Sequence, residues 1–509
     1  MKEAEQIEIT NPPTSVNFIK NSFWSFVTVL LAKIGGMVFV IFIARFLLPE
    51  KFGVYNLALS ITLLLISLTN IATNQALSKY LSYSINKKNF NQASSYFQFI
   101  YRLKIFFSVI MIVTLILMAY PLSVYIFQKP ELFLPLILFS LYILTFSLQN
   151  LFETVFYVFG KVNFLSIKEV LVQSSKIIFC FLVFYFFYIS LHIAILGLII
   201  SSLIAIFFLR SYLMKNKIFL FSKTKGKIDK KGIKKFIKNA IFSTFSLTIF
   251  NYIDVILLGI FVTSTYIGYY SSAFLIVGGF FGLISFSNIT LPLFTKLKGK
   301  KLEETFSLIS RYLSVISIPL IFGIFILGRY ILLFIYGYEY LEATIPLTIL
   351  SLLIFETPIT DNFKSLILSK GRPEIITKIM VQTTFVNLML NFLLIYFLSK
   401  ISLLYAIIGA SIAIVISRFI VMFCLLQIIK KDIGISWNIH GIIKPLFSSI
   451  IMVIPLLIIN SKISDMNYLI GFLEIILGVI IYFSVMLLIK GIKKEDIFLI
   501  KKIFPIRKS

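Results

Sequence analysis

The chain has 509 residues, 59% hydrophobic and 14% charged, and a formal net charge of +27 from 48 Lys+Arg against 21 Asp+Glu. Soluble globular chains are about half apolar and about a quarter charged, so an ordinary soluble enzyme, a disordered chain, a collagen and a coiled coil are all excluded. What remains is an all-α polytopic membrane protein: the apolar runs are continuous rather than alternating with period two, and lipid accepts only helices and closed barrels.

In chain order, the polar start from Met1 to Asn21, with Pro12-Pro13, does not read as a cleavable signal, because the apolar run that follows is too long. Fourteen spans are then predicted. The first six are 22–47, 54–75, 98–120, 132–158, 165–189 and 191–213. Six more follow at 237–262, 267–293, 306–328, 343–367, 375–398 and 403–429, and the last two are 441–460 and 467–489. Basic residues gather in alternate connections: Lys79, Lys87, Lys88, Arg102 and Lys104; Lys161; the run 215–238; Lys296, Lys298, Lys300 and Lys301; Lys370 and Arg372; Lys430 and Lys431; and the tail 490–508. The other ends hold only Arg45, Lys51, Lys129, Arg329, Lys400 and Lys462. Cytoplasmic loops are enriched in Lys and Arg, so an even number of spans with both termini cytoplasmic is expected, in the cytoplasmic membrane.

The segment 215–238 carries ten lysines and one acid, Asp229. It reads as a linker that anionic lipid headgroups can approach. Nothing in it forms a nucleic-acid reading motif, so no nucleic-acid partner is expected. The parts are an N-terminal lobe (1–214), the linker (215–236), a C-terminal lobe (237–430), and two extra spans with a basic tail (431–509). The halves look repeated. At an offset of 211, Pro135, Phe152, Gly160 and Lys161 fall on Pro346, Phe363, Gly371 and Arg372. At an offset of 218, Phe18-Ile19-Lys20-Asn21 falls on Phe236-Ile237-Lys238-Asn239; after a slip, Gly53, Tyr55 and Ala58 fall on Gly268, Tyr270 and Ala273. Both halves start on the same side, so the repeat is parallel.

Ionisable groups inside an apolar span are expensive and mark functional sites. Lys33 lies in mid-span, ~17 Å from the polar end, on a face with Ser22, Gly36 and Ala44. It is either paired with an acid on another helix or lines a central path. Asp254 lies deep in the seventh span, with Ser243 on its face and Asn251, the counterpart of Lys33, adjacent. It is either the partner of Lys33 or a carboxylate that titrates during transport. The tenth span holds Glu356, Pro358, Asp361 and Asn362, acids near a proline that permits bending; a gate, a coupling-ion site and a structural kink all fit. Lys176 shares a face with Glu169, Gln173 and Cys180, and Arg418 lies well inside the twelfth span; each faces a cavity or snorkels. Cys180 and Cys424 read as small buried hydrophobes. No Walker loop, nucleophile elbow or metal-ligand cluster is found, so no cofactor is expected.

The stretch from Ala44-Arg45-Phe46-Leu47-Leu48-Pro49-Glu50 to Lys51-Phe52-Gly53-Val54-Tyr55 resembles the first helical hairpin of polysaccharide-type lipid flippases, with Leu48 where that family has Gly. Asp254, Leu258-Gly259, Gly268, Tyr270 and Ala273 are similar to its seventh-to-eighth-helix pattern. These are the O-antigen-type exporters of the multidrug/oligosaccharidyl-lipid/polysaccharide superfamily. The resemblance implies two six-helix lobes around a central cavity and a flippase, not an enzyme. It implies movement of a polyprenyl-phosphate- or polyprenyl-pyrophosphate-linked oligosaccharide by alternating access, with glycan-assembly enzymes as possible partners. Lys33, Lys176 and Arg418 are then candidate phosphate-binding cations, Ser22, Ser243 and Asn251 polar cavity residues, and Asp254, Glu356, Pro358 and Asp361 coupling or gating residues for a proton gradient, a sodium gradient or the membrane potential. The alternatives are a cation-coupled drug or metabolite antiporter of the same superfamily and, third, a membrane glycosyltransferase or polysaccharide polymerase.

Overall fold

The structure is a computed structural model that describes residues 15–215, 220, 226–285, 287–435, 437, 440–462 and 468–491, and every regular element among them is helical. In order these are α1 (Ser15–Asn86), α2 (Phe90–Tyr120), α3 (Phe133–Val158), α4 (Val162–Phe186) and α5 (Leu191–Lys215), then α6 (Lys230–Phe261), α7 (Ser264–Ile284), α8 (Ser287–Lys296) and α9 (Gly299–Ile335). They continue with α10 (Thr344–Leu350), α11 (Leu353–Ser369), α12 (Pro373–Ser399), α13 (Leu403–Ile428), α14 (His440–Lys462) and α15 (Tyr468–Leu488). A helix satisfies its own backbone, which is why uninterrupted apolar sequence adopts it in lipid.

Among the described residues eleven stretches are long and apolar enough to cross a membrane, or twelve if the bent pair Tyr338–Leu350 and Leu353–Ser369 is one span. The expectation of fourteen is therefore met only approximately. The first two expected spans run together as α1, broken only at Leu48 (φ 62°, ψ 168°). Pro49 follows, and a residue before proline is driven out of the helical region. Among the described residues of α6 an apolar stretch runs over Thr248–Phe261.

The chain divides into two compact units, Met1–Ser271 with Met380–Ala413, and Ser272–Ile379 with Ile414–Ser509. In the first, α1 packs on α2, α3, α4 and α6. Small hydroxyls join the helices, as is common where apolar driving force is weak: Thr28 meets Ser166 at 2.7 Å and Thr69 meets Ser147 at 2.9 Å. Past Leu48, α1 crosses the start of α7 through its glycines. A Cβ on Gly53 would strike the Ser264 carbonyl, and one on Gly268 the Pro49 carbonyl. Nearby, the Lys129 amine donates to the Gly259 carbonyl at 2.6 Å, at the end of α6, and burial pushes that amine below its ordinary range while Glu131 opposes the shift. The described part of the basic linker is tied to α2: the Gln92 amide donates to the Lys227 carbonyl (2.9 Å), Gly226 N–H to Ser95 (2.8 Å) and Ser94 to the Leu220 carbonyl (3.1 Å).

In the second unit α9 carries α11, α14 and α15. Met452, Leu456, Tyr482 and Met486 form a small core, and the Tyr482 hydroxyl donates to the Val315 carbonyl at 2.8 Å. The sequence repeat has a structural counterpart. Phe152 packs on Phe97 (6.4 Å) in one unit and Phe363 on Phe306 (5.6 Å) in the other. Gly160 and Gly371 close α3 and α11 at φ 66° and 73°, the left-handed region that favours glycine.

Candidate functional site

Lys33 is exposed in the middle of the first half of α1. Gly35 lies against the Gln173 side chain of α4, whereas a Cβ on Gly36 would meet nothing within 4 Å. One face of α1 is thus packed, and the face with Lys33 and Gly36 borders open space. Asn251, its counterpart on α6, is also exposed.

Lys176 is 7% exposed, its ammonium 4.6 Å from the centre of the Phe39 ring, a cation–π contact within the same unit. Below it lies a charge network that the sequence reading caught only in part. Lys168 pairs with Glu153 of α3 at 2.9 Å and with Glu169. Gln173 donates to Glu169 (2.6 Å) and Gln149 to Glu153 (2.9 Å). Lys104, fully buried on α2, donates to Asn74 at 2.5 Å and feels the charge of Glu153. Three lysines (104, 168, 176) and two glutamates (153, 169) thus lie in one region of the first unit. Glu153 and Lys168 sit on successive helices, so no periodicity within one helix reveals their pairing.

Asp254 is 1% exposed and accepts a hydrogen bond from the Tyr270 hydroxyl at 2.5 Å. The resemblance motif thus brings two of its own residues together. Asn387 and Asn391 of α12, in the same unit, are fully buried; the Asn391 amide donates to the Asn387 carbonyl at 3.0 Å, and the Asn387 side chain has no hydrogen bond among the described residues. Their i, i+4 spacing was the available signal.

In the second unit, Glu356 is fully buried and accepts from Thr360 (2.6 Å) and Thr357 (3.0 Å), with the half-buried Arg418 in electrostatic reach. Asp361 accepts from Ser285 at 2.7 Å and pairs with Lys364 at 3.4 Å. Asn362 donates to Ser310 at 3.0 Å. The 40° bend falls between Leu350 and Leu353, ahead of Pro358, which lies buried inside α11. The side chains of Ser22 and Ser243 lie outside the described residues. Among those described, no group of His, Cys, Asp and Glu is placed to hold a metal ion.

Compared with curated proteins by sequence, the chain has no match. Among solved structures it is similar to the lipid II flippase MurJ in an inward closed conformation, with a TM-score of 0.71 and 18% identity over 92% of this chain and 98% of that one. It is also similar to an inward-facing multidrug resistance transporter of the MATE family (TM-score 0.64, 14% identity, 78% of this chain and 94% of that one). A third similarity is to a MATE transporter in complex with MaD3S (TM-score 0.59, 13% identity, 84% and 99%). These likenesses, all at low identity, give the fold alone. The sequence pattern that defines polysaccharide biosynthesis proteins matches residues 18–298, more than half of the chain. This multi-pass membrane protein therefore belongs to the polysaccharide biosynthesis protein family.

Proposed function

We propose that the protein flips a polyprenyl-phosphate- or polyprenyl-pyrophosphate-linked oligosaccharide across the cytoplasmic membrane by alternating access, with both termini cytoplasmic and glycan-assembly enzymes as its neighbours in the cell. The observation that carries this reading is Lys33, exposed at mid-span on a face that Gly36 leaves open. A cation kept there at a cost of roughly 2.5–3.5 kcal/mol on insertion scales suits an anionic cargo in transit. The family's link to polysaccharide synthesis supports a glycan, and the likeness to a lipid II flippase supports a lipid-linked one.

In this reading Lys33 takes the phosphate, Asn251 hydrogen-bonds the headgroup, and Lys176, beside the α3–α4 network, makes that region attractive to anions. Arg418 contributes from α13 with Ser22 and Ser243 as polar lining. Asp254, held by Tyr270, and Glu356 and Asp361, near the bend before Pro358, couple the cycle to protons, sodium or the membrane potential. The lobes 1–214 and 237–430 are the functional halves, joined by 215–236 and followed by the appended region 431–509. A second reading, a cation-coupled multidrug antiporter, draws support from the MATE likeness.

The test is reconstitution in liposomes with synthetic polyprenyl-linked oligosaccharides, reading glycan exposure on the opposite leaflet. Lys33→Ala is expected to slow flipping about tenfold or more, the loss of one charge-assisted contact, and Asp254→Asn to abolish its dependence on an ion gradient. Wild-type rates in both variants would remove the assignment. Gradient-driven efflux of cationic dyes without glycan flipping would favour the antiporter.

A further inference from the structure

The last two helices hold a site that the proposed transport does not use. Between α14 and α15 lies a crevice of about 450 Å³, lined by Ile459, Ile470, Leu473, Ile476, Leu477 and Ile480 and by one polar residue, Glu474. The volume is within the ~300–1,000 Å³ typical of ligand sites. Glu474 is 2% exposed, and neither of its oxygens has a hydrogen-bond partner among the described residues. Six residues into an apolar helix, about 9 Å from its start at ~1.5 Å per residue, an unanswered carboxylate is costly. Among the described residues nothing answers it.

The surroundings narrow the chemistry. Gly471, one turn before Glu474, admits the Tyr330 ring of α9 to 3.5 Å from where a Cβ would stand. Tyr330 feels both Glu474 and its neighbour Arg329, which is exposed. An acid inside the crevice, a cation at its margin and aliphatic walls form the complement of a zwitterion with an acyl chain. We propose that this crevice binds a membrane phospholipid with a primary-amine headgroup, its ammonium on Glu474, its phosphate toward Arg329 and one chain along the isoleucine wall. A primary ammonium has three N–H donors for the carboxylate, and a trimethylated one has none.

The experiment uses the purified full-length protein in detergent, offered phosphatidylethanolamine, phosphatidylcholine or phosphatidylglycerol with the same acyl chains, with bound lipid counted by native mass spectrometry. Wild type retains the primary amine over its trimethylated counterpart about tenfold, the worth of one charge-assisted hydrogen bond. Glu474→Gln, nearly isosteric, erases that ratio. Arg329→Gln weakens both zwitterionic lipids alike and leaves the ratio in place. Leu473→Trp, which fills the crevice while keeping the carboxylate, lowers retention of both. Equal retention of the two zwitterions by wild type overturns the proposal, as does a preference that survives in Glu474→Gln or Leu473→Trp. Lipid counts do not depend on flipping, so this result stands or falls separately from the transport assay.

Discussion

The α3–α4 hairpin and α11 both bury acids in apolar helices, and they hold them differently. In the hairpin, Lys168 sits between Glu153 and Glu169, and amides from Gln149 and Gln173 take further lone pairs. In α11, Glu356 accepts from two threonine hydroxyls of its own helix. The first arrangement is an interlocked set of charges spanning two helices, where losing the central cation strands two anions. The second takes its hydrogen bonds from its own helix, with Arg418 of α13 in electrostatic reach: hydroxyls donate or accept by rotation, so the hydrogen bonding adapts when the acid changes. Stability resides in the hairpin and adaptability in α11, which also adjoins the 40° bend.

Replacing the centre of the network breaks this comparison most sharply. Lys168→Met leaves the buried Glu169 and the partly buried Glu153 without their shared cation and is expected to cost about 3–5 kcal/mol, read as a large drop in the unfolding midpoint in detergent. Glu153→Gln removes one arm while Glu169 keeps Lys168 paired, so about 1–3 kcal/mol is expected. Glu356→Gln should cost only about 1 kcal/mol, since both threonines reorient to the amide; a loss equal to that of Lys168→Met would show that α11 is as rigid as the hairpin. Asp361→Asn is the mildest, because the ion pair it loses is partly exposed and the Ser285 hydrogen bond remains: at most about 1 kcal/mol, with the effect on Lys364 visible as reduced salt dependence of stability.

The all-helical fold was legible because apolar runs and basic loops alternate throughout the chain. The repeat was legible in Gly160 and Gly371, and the structure gives both the same left-handed turn. Leu48 was flagged as standing where the resembling family has glycine, and it occupies a backbone region that is essentially glycine-only, φ 62° and ψ 168°. Helical periodicity names a face and leaves open what that face meets. Lys176 shares a helical face with Glu169 and Gln173, yet nothing in its spacing indicates the Phe39 ring of α1 over its ammonium. The Glu153–Lys168 pair bridges two helices, and such partners emerge only once the chain folds back on itself. Glu474 has a plain sequence signal, a single acid within the otherwise apolar stretch 468–488.

The glycine crossing of α1 and α7 has a bearing on ancestry. Gly53 and Gly268 are equivalent positions of the repeat, and so are Pro49 and Ser264 at the same offset; each glycine accommodates the backbone of the other hairpin's partner position. Such reciprocity is the signature of an isologous interface, here enclosed within one polypeptide. A gene duplication that fused two identical subunits would inherit that junction already complementary, so separately expressed halves divided within the lysine-rich linker should still recognise each other through it.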